Sequence, residues 1–300
     1  MNFSPFIKWI GGKTQLLPKI TPLLPEKYNW YFEPFAGGGS VFLNVAPKKA
    51  FVSDINQQLM NLYCTIAESV FELIDKIKEL DSVPVYSEYY YKLRARFNDK
   101  IVLKELDIEQ AALFLWLNKH CYNGLYRVNS KGLLNAAWNK HPNINTCDFE
   151  NLLQIHDYFS LNDVNFLCCD FVYTCQHVEK GDLVYFDSPY MPIGNTEDFT
   201  KYTKERFTTA DHLRLHDLFK TLDEKGAYLI MSNSDAPSVH GLYKDYNIKV
   251  VNARRNVNRN VNGRTGTEVI ITNFDAAKSK HETNTPLFHF IEEGEDNERT

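Results

Sequence analysis

Short apolar runs separated by polar and amphipathic stretches occur in both halves of the chain. Runs rich in β-branched and aromatic residues predict buried strands. Their alternation with helical patterns predicts an α/β protein with a sheet of about seven strands. The predicted strands lie near residues 30–35, 50–54, 164–169, 183–186, 228–231, 247–252 and 268–272.

The alternation of strands and helices stops between residues 81 and 161. Apolar residues at helical spacing from Leu59 to Leu80 predict one long amphipathic helix over about 56–80. A second helix is predicted near 109–119, and Asn-Gly and Lys-Gly pairs predict a hairpin-like loop within 121–132. We therefore expect a helical unit inserted into the α/β protein.

The change of pattern predicts two domains and a tail. Residues 1–58 and 162–274 are expected to form one discontinuous α/β domain, and residues 59–161 the insertion. Residues 275–300 are polar and acidic, and we expect a loosely held tail. A long polar and aromatic loop over 191–207 is expected to close over a substrate.

Composition narrows the class of protein. With 44% hydrophobic residues among 300, the chain can build a large core, and no apolar run approaches the roughly 18 residues of a membrane span. The start of the chain lacks the layout of a secretion signal, and no Cys-x-x-Cys spacing occurs, so a cytoplasmic protein with reduced thiols is expected. Cys168 and Cys169 are predicted to lie in a buried strand.

Charge is unevenly distributed along this acidic chain, whose formal net charge is −5. Three basic segments contain no acid, whereas acidic residues gather at the C-terminus. Such segments predict a positive face that contacts phosphates, although chance clustering is the alternative. The basic residues are Lys8, Lys13 and Lys19; Lys119, Arg127, Lys131 and Lys140; and Lys249, Arg254, Arg255, Arg259 and Arg264.

Candidate chemistry follows the strand over 183–186, where residues 187–190 have the sequence Asp-Ser-Pro-Tyr. Ligands bind at the carboxyl ends of strands in open α/β sheets, so this turn is expected to face a crevice. This combination of residues suits a planar ring that carries an amino group. Asp187 can accept one N–H of the amino group, the carbonyl of Ser188 can accept the other, and Tyr190 can stack on the ring. An ordinary strand-to-loop turn is the alternative.

A glycine-rich turn, Ala-Gly-Gly-Gly-Ser over 36–40, joins the first predicted strand to a helix. It is typical of a nucleotide-type site but does not match G-x-G-x-x-G. Asp54 ends the next strand, where an acid commonly binds ribose hydroxyls, although it is equally placed to cap a helix. Two glycines between Trp9 and Lys13 allow a close backbone approach to a ligand.

Two further features have competing interpretations. The polar and aromatic loop over 121–132 offers Asn and Arg side chains for base edges, with Tyr122 or Leu125 as a wedge between base pairs, or is a plain surface hairpin. His212 and His216 have a spacing that can hold zinc. No Cys or acid cluster completes such a site, so no metal is expected.

Five motifs resemble, in order and spacing, those of Dam-type (D12 class) DNA adenine-N6 methyltransferases. They are Lys-Trp-Ile-Gly-Gly-Lys at 8–13, Phe-Glu-Pro-Phe-Ala-Gly-Gly-Gly-Ser at 32–40, Ser-Asp-Ile-Asn at 53–56, Tyr-Asn-Gly-Leu-Tyr-Arg-Val-Asn at 122–129, and Asp-Ser-Pro-Tyr at 187–190. The likeness runs from about residue 6 to 274. A loop within 192–202 also resembles GATC-modifying members of restriction systems.

The resemblance implies a Rossmann-like methyltransferase fold with an inserted target-recognition domain. It also implies methyl transfer from S-adenosylmethionine to N6 of a flipped adenine in duplex DNA, within GATC, giving S-adenosylhomocysteine. The implied catalytic positions are Asp187, Ser188, Pro189 and Tyr190. The implied cofactor positions are Trp9, Lys13, Phe35, Gly37, Gly39, Asp54, Asp170, Phe171 and Asp187. The implied DNA-contacting positions are Lys8, Tyr122, Asn123, Leu125, Arg127, Asn129 and Lys140.

Two departures from the family pattern keep alternatives open. Ser188 replaces the first proline of the usual Asp-Pro-Pro-Tyr, and residues 134–141 differ from the segment that helps to read the outer bases. The alternatives are an inactive DNA-binding regulator, or a methylase of cytosine N4 or of RNA adenine. We expect a monomer or weak dimer from a bacterial, phage or viral context, with a cognate restriction endonuclease, if present, acting separately.

Overall fold

A seven-stranded sheet forms the centre of the computed structural model, which describes residues 3–141, 144–191, 207–254 and 265–275. The strands are β1 (Tyr31–Glu33), β2 (Lys49–Ser53), β3 (Asp163–Leu167), β4 (Leu183–Phe186), β5 (Tyr228–Ser234), β6 (Asn247–Arg254) and β7 (Thr265–Thr272). All seven predicted strands are present, with ends shifted by a few residues.

Strand order in the sheet is β3-β2-β1-β4-β5-β7-β6. The first five are parallel to their neighbours, and β7 lies antiparallel between β5 and β6. The chain leaves β1 towards β2 on one side, and β4 lies on the other side, so the order reverses at β1. A crevice opens at the carboxyl ends of strands where the order reverses, which places the ends of β1 and β4 beside it.

Ten α-helices occur in the described part of the chain. They are α1 (Leu17–Ile20), α2 (Ser40–Val45), α3 (Gln57–Glu68), α4 (Val70–Asp81), α5 (Ser87–Leu103), α6 (Ile108–His120), α7 (Phe149–Leu161), α8 (Phe171–Thr174), α9 (Thr209–Glu224) and α10 (Pro237–Leu242). The helix expected near 109–119 is confirmed as α6. None of the described helices is long and apolar enough to cross a membrane.

The single long helix predicted over about 56–80 is wrong, because the chain breaks at Ser69 into α3 and α4. Ser69 has φ −146° and ψ 43°, outside the helical region. Its N–H still donates to the carbonyl of Thr65, and its carbonyl accepts from the N–H of Leu73. The break removes only one residue from the helical period. Apolar spacing therefore continues through it, and both helices pack on α6.

Helix α6 lies at the centre of the helices that follow β2. Residues 110–118 are all buried, and α3, α4 and α5 pack around it. A helix that is apolar on every side requires such a surround. Helices α3 to α7 all lie between β2 and β3 in sequence, and the predicted boundary at residue 59 falls inside α3, which also contacts β3.

The structure confirms the predicted hairpin and corrects the predicted burial of Cys168. The hairpin predicted within 121–132 is present, because Cys121 bridges Trp138 and Val128 bridges Leu134 in antiparallel fashion. The expectation of a buried Cys168 is wrong. Strand β3 ends at Leu167, and the carbonyl of that residue accepts from the N–H of Asp54. Cys168 follows as an exposed residue, and Cys169 is half-buried.

Several expectations fall outside the described residues. These are the greater part of the closing loop, with Phe199 and Tyr202, the basic residues Arg255, Arg259 and Arg264, and the acidic tail beyond residue 275. For Arg254 the backbone is described.

A buried polar network joins α6 to the chain before α7. The Nε2–H of His120 donates to the hydroxyl of Thr146 at 3.0 Å, and that hydroxyl donates to Asp81 at 2.6 Å. Within the described residues no polar atom reaches the buried Nδ1 of His120. Burial lowers the pKa of His120 from 6.5 to about 4, so the ring is neutral in the folded protein.

Acidification below pH 6.5 is expected to weaken the fold through His120. The unfolded chain binds the proton first because its histidine keeps the ordinary pKa. Stability contributed by the neutral ring is therefore present above about pH 6.5 and is lost as the pH falls towards 4, to a total of about 3 kcal/mol. Urea unfolding between pH 7.5 and 5 should give a steeper loss for wild type than for His120→Gln. Parallel pH profiles would contradict this assignment.

Candidate active site

One cavity at the carboxyl ends of β1 and β4 brings together residues from distant parts of the chain. Its wall is formed by the loop from Trp9 to Lys13, by Glu33, by the glycine-rich turn and by Asp187. Asp187 directly follows β4, and the glycine-rich turn directly follows β1. The reversal of strand order therefore places the two predicted motifs side by side.

The glycine-rich turn has a close contact that favours glycine at position 37. Gly37 has φ +48°, and a Cβ there would lie 2.7 Å from Cδ1 of Trp9. The N–H of Gly37 donates to Oδ2 of Asp54 at 3.1 Å, and its carbonyl accepts from the hydroxyl of Tyr63 at 3.1 Å. Trp9, Asp54 and Tyr63 therefore hold the turn from three sides.

The side chain of Asp54 hydrogen-bonds the glycine-rich turn and does not cap helix α3. Its Oδ1 accepts the N–H of Asn56 at 2.9 Å, and it is Asn56 whose side chain accepts from Leu59 at the first turn of α3. Ile55, between them, is exposed. The N-cap alternative for Asp54 is therefore wrong, because the chain enters the helix two residues later.

Trp9 links the cavity to the hairpin. Its ring stacks on Tyr126 with centroids 5.5 Å apart and planes inclined by 17°, and it meets the ring of Phe114 edge-on at 6.2 Å. Tyr126 belongs to the hairpin and Phe114 to α6. The stack couples one wall of the cavity to the helices that follow β2.

Lys13 contacts the residues after β4. Its buried ammonium lies 2.6 Å from Oδ1 of Asp187, and it donates to the carbonyl of Gly11 at 2.5 Å. The same Nζ lies 4.7 Å from the centroid of the Tyr190 ring. One cation thus touches both the carboxylate and the aromatic face of the Asp-Ser-Pro-Tyr segment.

Asp187 is held by a directional chain of hydroxyl groups. The hydroxyl of Tyr185 donates to Ser232 at 3.0 Å, and the hydroxyl of Ser232 donates to Oδ1 of Asp187 at 3.1 Å. Burial raises the pKa of Asp187 above its ordinary 3.8, although Lys13 and Ser232 oppose the rise. Lys13 and Ser232 are thus the two groups that favour the ionised form of this carboxylate.

The rest of the segment is also tightly packed. Ser188 is buried, and in the described part of the chain no group hydrogen-bonds its hydroxyl. Pro189 is exposed, and Tyr190 is half-buried with its hydroxyl donating to Oε2 of Glu268 at 2.6 Å. Burial and the neighbouring carboxylates raise the pKa of Tyr190, so the phenol stays protonated.

Glu33 is a wall residue of the cavity that the sequence did not reveal. It is 1% exposed, and burial raises its pKa well above 4.5, although the hydroxyl of Tyr31 hydrogen-bonds to it. A charged residue inside an otherwise apolar strand was the available signal, because buried carboxylates are uncommon. Ser232 on β5 and Glu268 on β7 were missed as well, since a single polar residue in a strand carries no signal of a site on its own.

Asp170 and Phe171 lie next to the cavity at the carboxyl end of β3. The ring of Phe171 stacks on Phe35 at 5.3 Å, and Phe207 packs on both at 5.7 and 5.8 Å. Asp170 accepts the N–H of Val172 at 3.0 Å and pairs with Arg214 at 2.9 Å. The result is a packed aromatic cluster bordered by an acid, with the Arg214 guanidinium 4.9 Å from the centroid of the Phe171 ring.

The DNA-contacting residues implied by the resemblance surround a second cavity or follow it along the hairpin. Lys8, Tyr122 and Asn123 line the cavity, with Asn118, Lys119, Asn139 and His141. Asn118 joins the two loops, because its amide donates to the carbonyls of Lys8 at 2.9 Å and Gly124 at 3.2 Å.

The remaining predicted DNA contacts differ in exposure. Tyr122 is 61% exposed, Leu125 is half-buried, and Lys140 is exposed with φ +65°. Arg127 donates from Nε to Oδ1 of Asn135 at 2.9 Å, which fixes its guanidinium along the hairpin. The Asn129 side chain accepts from the N–H groups of Lys131 and Leu133 at 2.9 and 3.1 Å, so its oxygen shapes the turn.

Comparison with known proteins identifies the family of the chain. Residues 9–257 match the D12 class N6 adenine-specific DNA methyltransferases. The chain belongs to this family. The methyltransferase is therefore an S-adenosylmethionine-dependent enzyme whose substrate is adenine in double-stranded DNA. The alternatives of a cytosine-N4 methylase and an RNA methylase are set aside by this membership.

Its relatives include enzymes with two kinds of name. The type II methyltransferase M1.LlaDCHI of Lactococcus lactis subsp. cremoris is 40% identical, over 91% of this chain and 96% of the relative. The type II methyltransferase M.MjaIII of Methanocaldococcus jannaschii is 38% identical, over 86% and 94%. The DNA adenine methylase of Escherichia coli K12 is 32% identical, over 85% and 89%.

Proposed function

We propose that the methyltransferase transfers a methyl group to N6 of an adenine flipped out of duplex DNA, within GATC. The observation that carries the proposal is the cluster of Asp187, Tyr190 and Lys13 beside the cavity at the glycine-rich turn, with Lys13 Nζ 2.6 Å from Asp187 and 4.7 Å from the Tyr190 ring. A carboxylate and an aromatic face at that spacing suit a planar ring with an amino group.

The residues around the first cavity fit S-adenosylmethionine. Lys13 and Glu33 provide groups of opposite type for a zwitterionic amino-acid end, and the turn at Gly37 leaves no room for a side chain. Phe35 and Phe171 offer a flat surface for an adenine ring, with Asp170 beside it for an exocyclic amino group. When bound, the cofactor supplies an electrophilic methyl group.

The protein's own residues prepare the nucleophile. The lone pair of adenine N6 is delocalised into the ring, so N6 is a poor nucleophile. We propose that Asp187 accepts one N6 proton and the carbonyl of Ser188 the other, which favours a localised lone pair in the transition state. As the new N–C bond forms and the methyl group leaves the sulfonium sulfur, which keeps the bonding pair, N6 would become cationic and release one proton towards Asp187 or water. Ser188 keeps the carbonyl of the usual proline.

The free energy spent on moving the adenine out of the duplex has to be offset by contacts in the protein. Unpairing and unstacking an adenine costs a few kcal/mol. Stacking on Tyr190 offsets about 1–3 kcal/mol of that cost. Lys13 lies over this ring in the structure and pairs with Asp187, so we propose that it keeps the carboxylate ionised until a base enters.

Helices α4 to α7 and the hairpin are proposed to form the target-recognition insertion. Tyr122 is exposed at the hairpin's start and can enter the base stack, while Lys8, Asn123 and Arg127 can contact base edges or phosphates. Asn118 and the Trp9–Tyr126 stack connect this surface to the cavity. Base recognition and the methylation site would thereby share one rigid unit.

A role in restriction–modification is favoured by the relatives at 40% and 38% identity, which are named type II methyltransferases. We propose that a cognate endonuclease cuts the same site as a separate protein. Such a pair needs no lasting contact with the methyltransferase, since both recognise the DNA.

Sequencing DNA from cells that express the chain, with detection of modified adenine, tests this function. We expect N6-methyladenine at the adenine of nearly all GATC sites and no modified cytosine. The host lacks an adenine methylase of its own, and the matched control is the same host without the expressed chain. Methylation confined to another sequence would overturn the GATC assignment, and unmodified DNA would overturn the proposed activity.

A further inference from the structure

Glu268 makes a contact with the methylation site that the reaction described above does not use. It lies on β7 opposite Ser234 of β5, and its Oε2 accepts the hydroxyl of Tyr190 at 2.6 Å. Glu268 does not line the cavity at the glycine-rich turn. Its hydrogen-bonded contact with the site is therefore through the tyrosine, and its charge adds to the rise that burial causes in the pKa of Asp187.

The backbone beside Tyr190 is already fixed by β5. The N–H of Met191 donates to Oδ1 of Asn233 at 3.1 Å, and its carbonyl accepts from the hydroxyl of Ser234 at 2.5 Å. These bonds hold the chain but do not contact the phenol ring. The bond to Glu268 fixes the far end of that ring, where Ser232 also hydrogen-bonds the hydroxyl.

Charge makes this anchor stronger than an ordinary tyrosine hydrogen bond. A hydroxyl that donates to a carboxylate forms a bond roughly twice as strong as one between neutral groups. The carboxylate also raises the pKa of Tyr190, so the phenol remains a neutral donor. Negative charge shared through the hydroxyl enriches the ring in electrons.

An electron-rich ring attracts positive charge over its face. Lys13 Nζ already lies 4.7 Å from the centroid of Tyr190, so this face accommodates a cation in the structure. Adenine N6 also becomes cationic as it accepts the methyl group. A ring stacked on the base would therefore stabilise that charge more when Glu268 is bonded to its hydroxyl.

We propose that Glu268 is a positioning residue for methyl transfer, which fixes the Tyr190 ring and enriches it for stacking on the target adenine. The inference rests on the proposed function of Tyr190. It assigns to the antiparallel β5–β7 pair a part in the reaction. A merely structural glutamate would instead stabilise β7 without acting through the tyrosine hydroxyl.

A double-mutant cycle tests the coupling with full-length protein and a viral DNA that contains every tetranucleotide. The variants are Glu268→Gln, Tyr190→Phe and the combination, and Glu224→Gln removes an exposed carboxylate as control. Turnover of tritiated methyl groups gives kcat and KM for DNA. Thermal melting and equilibrium dialysis of S-adenosylmethionine report folding and cofactor affinity.

We expect Glu268→Gln to lower kcat by about tenfold, the loss of one charge-assisted bond, with cofactor affinity and melting temperature close to wild type. In the Tyr190→Phe background the same change should have no further effect. Equal losses in both backgrounds, or unchanged kcat, would overturn the proposal. The DNA contains all candidate sites, so a recognition sequence other than GATC would contradict the proposed function while leaving this comparison valid.

Discussion

Replacing Asp187 by asparagine is expected to reduce methyl transfer by about a thousandfold, while the protein stays folded. The amide keeps one acceptor oxygen but carries no charge to hold an amino group that becomes cationic. Loss of one preorganised electrostatic partner typically costs 10²–10³ in rate. The buried ammonium of Lys13 also loses its partner at 2.6 Å, which misplaces a second group of the site.

Tritiated-methyl transfer to DNA measures the effect, and circular dichroism verifies the fold. Asp75→Asn is the matched control, because Asp75 is 79% exposed and pairs only weakly with Lys78 at 3.8 Å. That variant should match wild type. Turnover by Asp187→Asn above a tenth of the wild-type value would show that the carboxylate is not needed.

Gly37→Ala is expected to destabilise the protein by about 2–5 kcal/mol and to weaken S-adenosylmethionine binding. Residue 37 has φ +48°, a region that costs an alanine about 1–2 kcal/mol. Its new Cβ would also lie 2.7 Å from the Trp9 ring, which is stacked on Tyr126 and cannot move cheaply. Overpacking of this kind adds about 1–3 kcal/mol.

Gly132→Ala separates the two costs. Gly132 has φ +76°, but a Cβ there would meet nothing within 4 Å, so only the backbone strain applies. Urea unfolding should show a loss of about 1–2 kcal/mol for Gly132→Ala and a larger one for Gly37→Ala. Isothermal titration should show weakened cofactor binding for Gly37→Ala alone. Equal destabilisation of the two variants would mean that the Trp9 ring can shift away from the new Cβ at little cost in free energy.

The site depends on contacts between segments that are far apart in the chain. Lys13 comes from the first loop, Asp187 follows β4, and Ser232 and Glu268 come from β5 and β7. Each side chain is fixed by a partner from another segment. A substitution in β5 or β7 is therefore expected to reach the reaction through Asp187 or Tyr190 rather than through the cofactor.

Local structure and the chemistry of the motifs could be predicted from the amino-acid sequence alone. Runs of β-branched and aromatic residues specified all seven strands, because strand formation and burial leave a signal in neighbouring residues. The order of the motifs was enough to indicate an adenine methyltransferase, since each motif is a short contiguous segment. The break at Ser69 escaped notice because it preserves the apolar period.

The contacts between side chains in the site became visible only in the folded protein. Two contacts join residues that are far apart in the chain: Lys13 pairs with Asp187, and Tyr190 bonds Glu268. The burial of Glu33 likewise depends on segments that pack over it from elsewhere in the chain. Such contacts follow from strand order and from the antiparallel insertion of β7 between β5 and β6. Periodicity reports which face of an element is buried, but it carries no information on which other element covers that face.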